Sequence, residues 1–192
     1  MVVIIGAGPI GCYLGGLLAR SGKEVSIYEE HSSIGSPVQC AGIVTQELGK
    51  IIRLKDNWVI NRLDNVKVFS KNNHIMLPSK DIVIDRKKFD NYLAKKAEKY
   101  GANIFLNHKF IGVKGKYAVF TDKDKRFIKI KADYIIGADG PLSDTAKSSD
   151  LFQDREFFFG MQARIKGKYD SSCYETYFGS ICPGFFAWII PK

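Results

Sequence analysis

Apolar positions follow two different periods along the first thirty residues. The segment "VVII" (2–5) is apolar at every position, which is typical of a strand that is covered on both faces of a parallel sheet. From Pro9 to about Ser21, large apolar side chains recur at helical spacing: Ile10, Tyr13, Leu14, Leu17 and Leu18. Gly22 is a typical helix-ending residue, and "EVSIYEE" (24–30) is a second strand. The order strand, helix, strand predicts one βαβ unit.

The rest of the chain is predicted to hold one long helix and many short strands. A short helix is expected near 45–52, and 58–78 is predicted to form strands around a turn at "KNN". Residues 81–101 are predicted to form a strand and then a helix. The buried side of this helix is predicted to carry Phe89, Tyr92, Leu93, Ala97 and Tyr100. Short strands are expected over 102–140, and the aromatic stretch from Leu151 is also predicted to be β-rich.

The character of the chain changes near residue 150. We predict a first domain over 1–150 and the first strands of a second domain over 151–192, with the 58–78 hairpin contributing to the substrate-binding side. The composition, with 45% hydrophobic and 26% charged residues in 192, is that of a globular protein. No apolar run approaches the roughly 18–20 residues that span a bilayer. Since no leader pattern precedes the first strand, a cytoplasmic location is expected.

Charge and reactive residues exclude several classes of function. The net charge is +9, mostly from lysine. Five lysines fall on the outer side of the helix within 81–101: Lys87, Lys88, Lys95, Lys96 and Lys99. We interpret them as a solvated surface with weak attraction for anionic lipid headgroups, and without a basic-aromatic motif no nucleic-acid partner is expected. The 4 cysteines contain no CxxC pair and the 3 histidines are dispersed, so neither a metal site nor a disulfide framework is predicted.

A GxGxxG motif joins the first strand to the first helix. Gly6 permits the tight turn, Gly8 lets the backbone approach a pyrophosphate, and Gly11 lets helix and strand pack closely. The free N–H groups at the start of the helix favour phosphate. Glu29 ends the second strand, where a carboxylate accepts hydrogen bonds from ribose hydroxyls and repels a 2′-phosphate. The motif therefore predicts a site for NAD or for the ADP half of FAD, rather than for NADP.

Two further stretches carry a family resemblance that distinguishes these cofactors. "ADYIIGADGPLSDTAK" (132–147) resembles the "GADGxxSxxR" segment of FAD-dependent enzymes with the p-hydroxybenzoate hydroxylase-like fold, although Ala146 and Lys147 stand where arginine is usual. "DRKKFDNYLAKKAEKYGANI" (85–104) resembles the "DRxxFDxxLxxxAxxxGA" helix of those enzymes. The resemblance implies an α/β fold: a Rossmann-like FAD-binding domain of the p-hydroxybenzoate hydroxylase-like type, then the start of a β-rich substrate domain. It also implies that Asp139 and Gly140 contact the ribityl–pyrophosphate part of FAD.

Two other segments are similar to one branch of these enzymes, the geranylgeranyl reductase family. They are "GSPVQCAGIVT" (35–45) and "PGFFAWIIPK" (183–192), the second through its aromatic-x-Trp-x-x-Pro pattern. The family consists of flavoenzymes that hydrogenate isoprenoid double bonds, including those of archaeal membrane lipids. The resemblance implies an FAD-dependent oxidoreductase that acts on geranylgeranyl (prenyl) chains in membrane-lipid biosynthesis. Because family members are longer and carry a later "GDA" segment, we interpret the chain as an N-terminal fragment.

The resemblance and the motif together predict the site residues. The predicted cofactor-binding residues are Gly6, Ala7, Gly8, Pro9, Ile10, Gly11, Glu29, Glu30, Cys40, Ala41, Gly42, Arg86, Ile111, Asp139 and Gly140. Cys40 is also the candidate catalytic residue, because the fold tends to place its loop near the isoalloxazine ring, where a thiol can shape the site or donate a proton. An uncharged prenyl chain needs a long apolar slot. The predicted substrate-binding residues are Tyr177, Phe186 and Trp188.

Two alternative functions remain open on the same fold. An aromatic or polyene monooxygenase would use the same FAD. A non-catalytic prenyl-binding protein would need no FAD, and the intact GxGxxG motif with Glu29 disfavours it. The expected partners are a prenyl-lipid substrate, the inner face of the membrane through weak association, and an electron donor. Since no second GxGxxG motif marks a nicotinamide site, the donor remains open among ferredoxin, a deazaflavin and NAD(P)H.

Overall fold

The computed structural model describes residues 1–192 and divides them into two compact units. The first unit is formed by 1–38 and 87–155, and the second by 39–86 and 156–192. This division differs from two consecutive domains that meet near residue 150. The reason is long-range pairing, since the strand at Cys173–Phe178 pairs with the strand at Asn65–Ser70 along its whole length. The roles of the two units in binding cofactor and substrate stay a prediction.

Strands dominate the chain. In chain order they are β1 (Val2–Ile5), β2 (Val25–Tyr28), β3 (Ile43–Val44), β4 (Val59–Arg62), β5 (Asn65–Ser70), β6 (Asn73–Pro78), β7 (Ile82–Ile84), β8 (Asn103–Phe105), β9 (Lys109–Lys114), β10 (Tyr117–Thr121), β11 (Phe127–Lys131), β12 (Tyr134–Gly137), β13 (Cys173–Phe178) and β14 (Ala187–Ile189). The helices are α1 (Pro9–Arg20), α2 (Leu48–Ile51), α3 (Arg86–Lys99) and α4 (Asp144–Ser148). Up to residue 140, these elements lie where the hydrophobic pattern predicts them, except for β3, which the pattern does not predict. No helix is both long enough and apolar enough to pass through a bilayer.

The predicted β-rich pattern from Leu151 is wrong for residues 151–172, because this stretch forms neither helix nor strand. The side chains of Phe159 and Met161 in this stretch are fully exposed. Apolar and polar residues alternate in "MQARIK" (161–166), as in a strand. Alternation alone does not make a strand, because the backbone groups also need a hydrogen-bonded neighbour. No strand of the structure pairs with this stretch.

The first unit is built on a four-stranded parallel sheet with the order β12-β1-β2-β8. On one face, Ile4 and Ile27 lie against α1, close to Gly15. The other face joins the antiparallel sheet β11-β10-β9 in one buried cluster, which includes Val3, Ile5, Tyr28, Phe110, Ala118 and Phe120. Because both faces of the central strand are covered, β1 is apolar at every position.

Helix α1 packs on the sheet through its small residues. Its buried residues are Gly11, Cys12, Gly15, Gly16 and Ala19. The large residues of the predicted apolar stripe are less buried, and Ile10 is 71% exposed. A Cβ atom at Gly15 would lie 2.6 Å from Cδ1 of Ile27, so the helix runs too close to the sheet for larger side chains on this face. Small-residue packing therefore brings the start of α1 close to the end of β1.

Helix α3 follows its predicted pattern only in part. Phe89, Leu93 and Ala97 are buried as predicted, whereas Tyr92 and Tyr100 are half-buried. The buried face also contains Asp90 and Ala94, which the apolar pattern does not indicate. Four of the five predicted surface lysines are exposed and the fifth is half-buried: Lys87, Lys88, Lys95, Lys99 and, half-buried, Lys96.

The second unit contains a four-stranded sheet with the order β14-β13-β5-β6 and a three-stranded sheet with the order β3-β7-β4. Strand β13 pairs in parallel with β5 and antiparallel with β14. Strands β5 and β6 form the hairpin predicted within 58–78. Each strand of the larger sheet therefore alternates its side chains between the same two faces.

Candidate cofactor site

The GxGxxG turn at the end of β1 is closely surrounded by backbone. Gly6 has a φ of +99°, a conformation that favours glycine, and a Cβ atom there would lie 2.5 Å from the carbonyl oxygen of Ala138. A Cβ atom at Gly11 would lie 2.0 Å from the carbonyl oxygen of Gly6. Both contacts involve backbone, which cannot move aside as a side chain can. Gly6 therefore allows the turn to lie close to the residues after β12, and Gly11 allows α1 to lie close to the turn.

Gly8 lies in the same turn but borders open space. It is the N-cap of α1, and a Cβ atom built on it meets no atom within 4 Å. The first hydrogen bond of the helix runs from the N–H of Cys12 to the carbonyl of Gly8 at 3.0 Å, so the N–H groups of Ile10 and Gly11 have no acceptor within the helix. The first turn of α1 contains no acidic residue. Open space, free N–H donors and the positive end of the helix dipole fit a diphosphate.

Glu29 follows β2 and reaches back to the glycine turn. Its Oε2 accepts a hydrogen bond from the N–H of Ala7 at 2.8 Å. Its Oε1 accepts one from the N–H of His31 at 3.0 Å and lies 2.6 Å from Nδ1 of the same histidine. Its backbone is also held, because its N–H donates to the carbonyl of Phe105 and its carbonyl accepts from the N–H of His108. The predicted ribose acceptor is therefore held in place by the protein itself.

Asp139 uses its carboxylate within the protein. Its Oδ1 accepts a hydrogen bond from the hydroxyl of Ser143 at 2.6 Å, and its Oδ2 accepts bonds from the N–H and hydroxyl of Thr145 at 2.9 and 3.0 Å. Burial raises the pKa of this carboxyl, but the hydrogen bonds from Ser143 and Thr145 lower it further, below its ordinary value. Asp139 thus stabilises the turn into α4. The neighbouring Gly140 has a φ of +81° and borders open space.

The other predicted cofactor residues of the first unit are Pro9, Ile10, Glu30 and Ile111. Pro9 and Ile10 begin α1, directly after Gly8. Glu30 is largely exposed at its side chain and lies 4.0 Å from Nζ of Lys109. Ile111 lies on β9 and lines an open depression together with residues of α4. The structure therefore brings together the residues 6–11, Glu29 and Asp139–Gly140, while Ile111 lines the depression beside α4.

In the second unit, the predicted residues Cys40, Ala41 and Gly42 form a loop beside Arg86. Gly42 has a φ of +87°, and a Cβ atom there would lie 2.5 Å from the carbonyl oxygen of Ile84 and 3.8 Å from Cγ of Arg86. The half-buried Cys40 accepts a weak hydrogen bond at Sγ from the N–H of Gly42, at 3.4 Å. The loop is thus packed against the end of β7. The catalytic role of Cys40 stays a prediction.

The three predicted substrate residues do not share one face of their sheet. Trp188 pairs with Thr176, so its side chain lies on the face opposite to that of Tyr177. The ring of Phe186 lies with its centroid 5.7 Å from that of Trp188. The ring of Tyr177 instead stacks on Phe69 at 4.6 Å. Its hydroxyl donates to the carboxylate of Glu175, and this bond raises the pKa of Tyr177 to about 12.

Cys12 is expected to be chemically inert in the folded protein. Its side chain is 1% exposed, and its thiol donates to the carbonyl of Ala7 at 3.2 Å. Burial, followed by the nearby carboxylates of Asp90, Glu29 and Glu98, raises the pKa of this thiol to about 12. We expect iodoacetamide at about pH 8 to label the half-buried Cys40 and Cys182 but not Cys12, since the thiolate is the reactive form.

Peptide mass spectrometry after timed labelling measures this difference. Unfolding in urea should make Cys12 as reactive as the other cysteines, which serves as the control. Equal labelling of Cys12 and Cys40 in the native protein would contradict the buried position of Cys12.

Comparisons with known proteins agree with this geometry. A family model described as an FAD binding domain matches residues 1–158. The chain is 30% identical to digeranylgeranylglycerophospholipid reductase 3 of Methanosphaera stadtmanae. It is also 30% identical to digeranylgeranylglycerophospholipid reductase 1 of Methanothermobacter thermautotrophicus. Each alignment covers 100% of this chain and 53% of the relative. Its fold is similar to that of a geranylgeranyl bacteriochlorophyll reductase-like protein of Thermoplasma acidophilum, with a TM-score of 0.83 and 22% identity over 100% of this chain and 53% of that chain.

The chain thus spans about half the length of the curated relatives that it matches, 53% in both cases. These findings confirm the predicted resemblance to the geranylgeranyl reductase family and the α/β fold of the p-hydroxybenzoate hydroxylase-like type. They also confirm FAD as the predicted cofactor, and the open space over Gly8 with its free N–H donors fits that group. The chain belongs to the family of FAD binding domains.

Proposed function

We propose that this chain forms the FAD-binding part, and some of the substrate-binding surface, of an oxidoreductase that hydrogenates double bonds of geranylgeranyl chains in membrane-lipid biosynthesis. The observation that carries this proposal is its similarity, over its whole length, to two digeranylgeranylglycerophospholipid reductases. Both names specify a reduction and a lipid with prenyl chains. The α/β fold alone supports many flavin-dependent reactions and would not select this one.

The first unit supplies the residues that hold the diphosphate and ribose of FAD in this proposal. The N–H groups of Ile10 and Gly11 bind the diphosphate beside Gly8, which leaves space for it. Glu29 accepts a hydrogen bond from the ribose and disfavours a 2′-phosphate by its charge. Gly140 lets the backbone approach the cofactor closely. Bound FAD, once reduced, supplies the hydride for the reaction.

The apolar face of the larger sheet in the second unit supplies the prenyl-binding surface. One row across this face is formed by Ile75, Val68, Thr176 and Trp188, as the strand register shows. The aromatic ring of Phe186 lies next to Trp188. An uncharged chain binds to such a surface by burial of apolar area, which also excludes water. We assign Phe186 and Trp188 to the substrate, whereas Tyr177 lies on the other face.

The remaining assignments concern the proton, the electron donor and location. Cys40 is the proposed donor of the proton that, together with the hydride, saturates the double bond, as a half-buried thiol in the loop predicted to lie near the flavin. The donor of electrons is one of ferredoxin, a deazaflavin or NAD(P)H. A lipid substrate and the net charge of +9 support peripheral association with the anionic inner face of the membrane, from the cytoplasm.

Anaerobic turnover tests the proposed function. The purified protein that contains this chain is loaded with FAD, reduced with dithionite and incubated with a geranylgeranyl glycerophospholipid. We expect mass spectrometry to show a gain of two hydrogen atoms for each reduced double bond. Trp188→Ala should lower the conversion without changing the FAD content, because the residues proposed to hold the diphosphate and ribose of FAD lie in the first unit.

Two outcomes would contradict the proposal. In the first, the protein holds reduced FAD while every double bond of the lipid persists. In the second, oxygen is incorporated into the substrate when air is admitted, which would support a monooxygenase instead.

A further inference from the structure

The structure assigns a role to His31, which no sequence motif singled out: we infer that it is a positioning residue that orients the Glu29 carboxylate for one ribose hydroxyl of the nucleotide. The inference rests on the nucleotide site of the proposed function and does not depend on the proposed reduction of a lipid. It concerns residues directly after β2, beside the glycine turn.

His31 holds a single oxygen of the carboxylate through two of its groups. Its backbone N–H donates to Oε1 of Glu29 at 3.0 Å, and its ring Nδ1 lies 2.6 Å from the same oxygen. An ionised carboxylate can only accept hydrogen bonds, so Nδ1 must carry the proton. Such a bond to a charged acceptor is stronger than one between neutral groups. Oε1 is therefore fully engaged.

The other carboxylate oxygen has capacity left for a ligand. Oε2 accepts a hydrogen bond from the N–H of Ala7 at 2.8 Å, and each carboxylate oxygen offers about two lone-pair sites. Glu29 thus keeps one open acceptor site, on the oxygen that lies beside the GxGxxG turn. This count predicts recognition of a single hydroxyl group.

The position of His31 does not come from core packing. Its side chain is 42% exposed, whereas that of Glu29 is 13% exposed. The backbone of His31 is held independently of its ring, because its carbonyl accepts from the N–H of Asn107 at 3.1 Å. Removing the ring should therefore leave the backbone hydrogen bond to Oε1 in place and remove only the restraint that the ring places on the orientation of the Glu29 carboxylate.

Binding of ADP and its deoxy analogues tests this role without any turnover. Isothermal titration is carried out with ADP, 2′-deoxy-ADP and 3′-deoxy-ADP on the wild-type chain, His31→Ala and His31→Asn. For the wild type we expect about a tenfold loss of affinity for one of the two deoxy analogues, as for one hydrogen bond to a charged group. In His31→Ala, the ratio of the affinity for ADP to the affinity for that deoxy analogue should fall to about twofold or less. His31→Asn should restore most of it, because the amide N–H can donate to the same oxygen.

The possible outcomes distinguish a failure of the role proposed for His31 from a failure of the nucleotide site itself. Glu29→Gln serves as the reference for loss of the carboxylate itself. A ratio that His31→Ala leaves unchanged, or that His31→Asn fails to restore, would overturn the inference even if the protein is an active reductase. Thermal unfolding of the free proteins checks that both variants fold like the wild type. A protein that binds neither ADP nor FAD would overturn the nucleotide site, and with it both this inference and the proposed function.

Discussion

Replacement of Gly8 by alanine is expected to weaken FAD binding at least about tenfold while leaving the unfolding temperature of the free protein unchanged. The φ of Gly8 is −69°, which alanine adopts without strain, and the new Cβ atom would meet no protein atom within 4 Å. The methyl group would instead occupy the space over the start of α1. It would keep a diphosphate away from the free N–H groups of Ile10 and Gly11. Quenching of flavin fluorescence measures the affinity, and differential scanning fluorimetry measures the unfolding temperature.

Gly11→Ala is the matched control, because the same substitution three residues later has the opposite expected effect. Its Cβ atom would lie 2.0 Å from the carbonyl oxygen of Gly6, so α1 and the turn would have to separate. We expect the free energy of unfolding of the cofactor-free protein to fall by about 3 kcal/mol, as for severe overpacking. Urea unfolding measures this. Tight FAD binding by Gly8→Ala, or wild-type stability of Gly11→Ala, would contradict the geometry described for the GxGxxG turn and the start of α1.

Asp139→Ala is expected to lower the free energy of unfolding by about 2–4 kcal/mol, measured by urea unfolding at neutral pH. The reason is that the hydroxyl of Ser143 and both donors of Thr145 lose their common acceptor. Thr145 is buried, so water cannot fully replace the carboxylate there. Asp139→Asn keeps one acceptor oxygen and should lie between the wild type and Asp139→Ala. A loss of FAD affinity without loss of stability would show that Asp139 serves the cofactor rather than the turn.

The same carboxylate should make stability depend on pH. Burial raises its pKa and the hydrogen bonds from Ser143 and Thr145 lower it further, so the folded protein has a lower pKa than the unfolded chain. The folded state then binds fewer protons, and the stabilisation is complete above the unfolded pKa of about 4. It is lost as the pH falls through the folded pKa. The stability difference between wild type and Asp139→Ala should therefore shrink between about pH 5 and pH 3.

Urea unfolding at several pH values measures this dependence. Asp139→Asn serves as the control, because its amide does not titrate in this range. A difference between wild type and Asp139→Ala that stays constant across these pH values would contradict the lowered pKa of Asp139.

The sequence by itself determined the elements whose cause is local. The apolar run of β1, the helical spacing after Pro9 and the glycines at 6, 8 and 11 specify a βαβ unit with a nucleotide-binding turn. Glu29 could be placed because it ends the second strand at a fixed distance along the chain from that turn. The motifs at 85–104 and 132–147 then indicated FAD and the fold type. All of these signals lie within short, continuous stretches, where the order of residues sets the geometry directly.

Only the tertiary structure decided how distant segments combine, because pairing and burial depend on neighbours far along the chain. The pairing of β13 with β5 places 39–86 in one unit with 156–192, and the register with β14 separates Tyr177 from Trp188. The narrow gap between α1 and the sheet, rather than apolar spacing, selects which helix residues are buried. The sequence shows that Asp139 carries a carboxylate, which can accept hydrogen bonds from a ligand. In the folded protein, however, Ser143 and Thr145 donate hydrogen bonds to this carboxylate. His31 has no sequence signal at all, since its contact with Glu29 arises only from the direction in which the chain turns after β2.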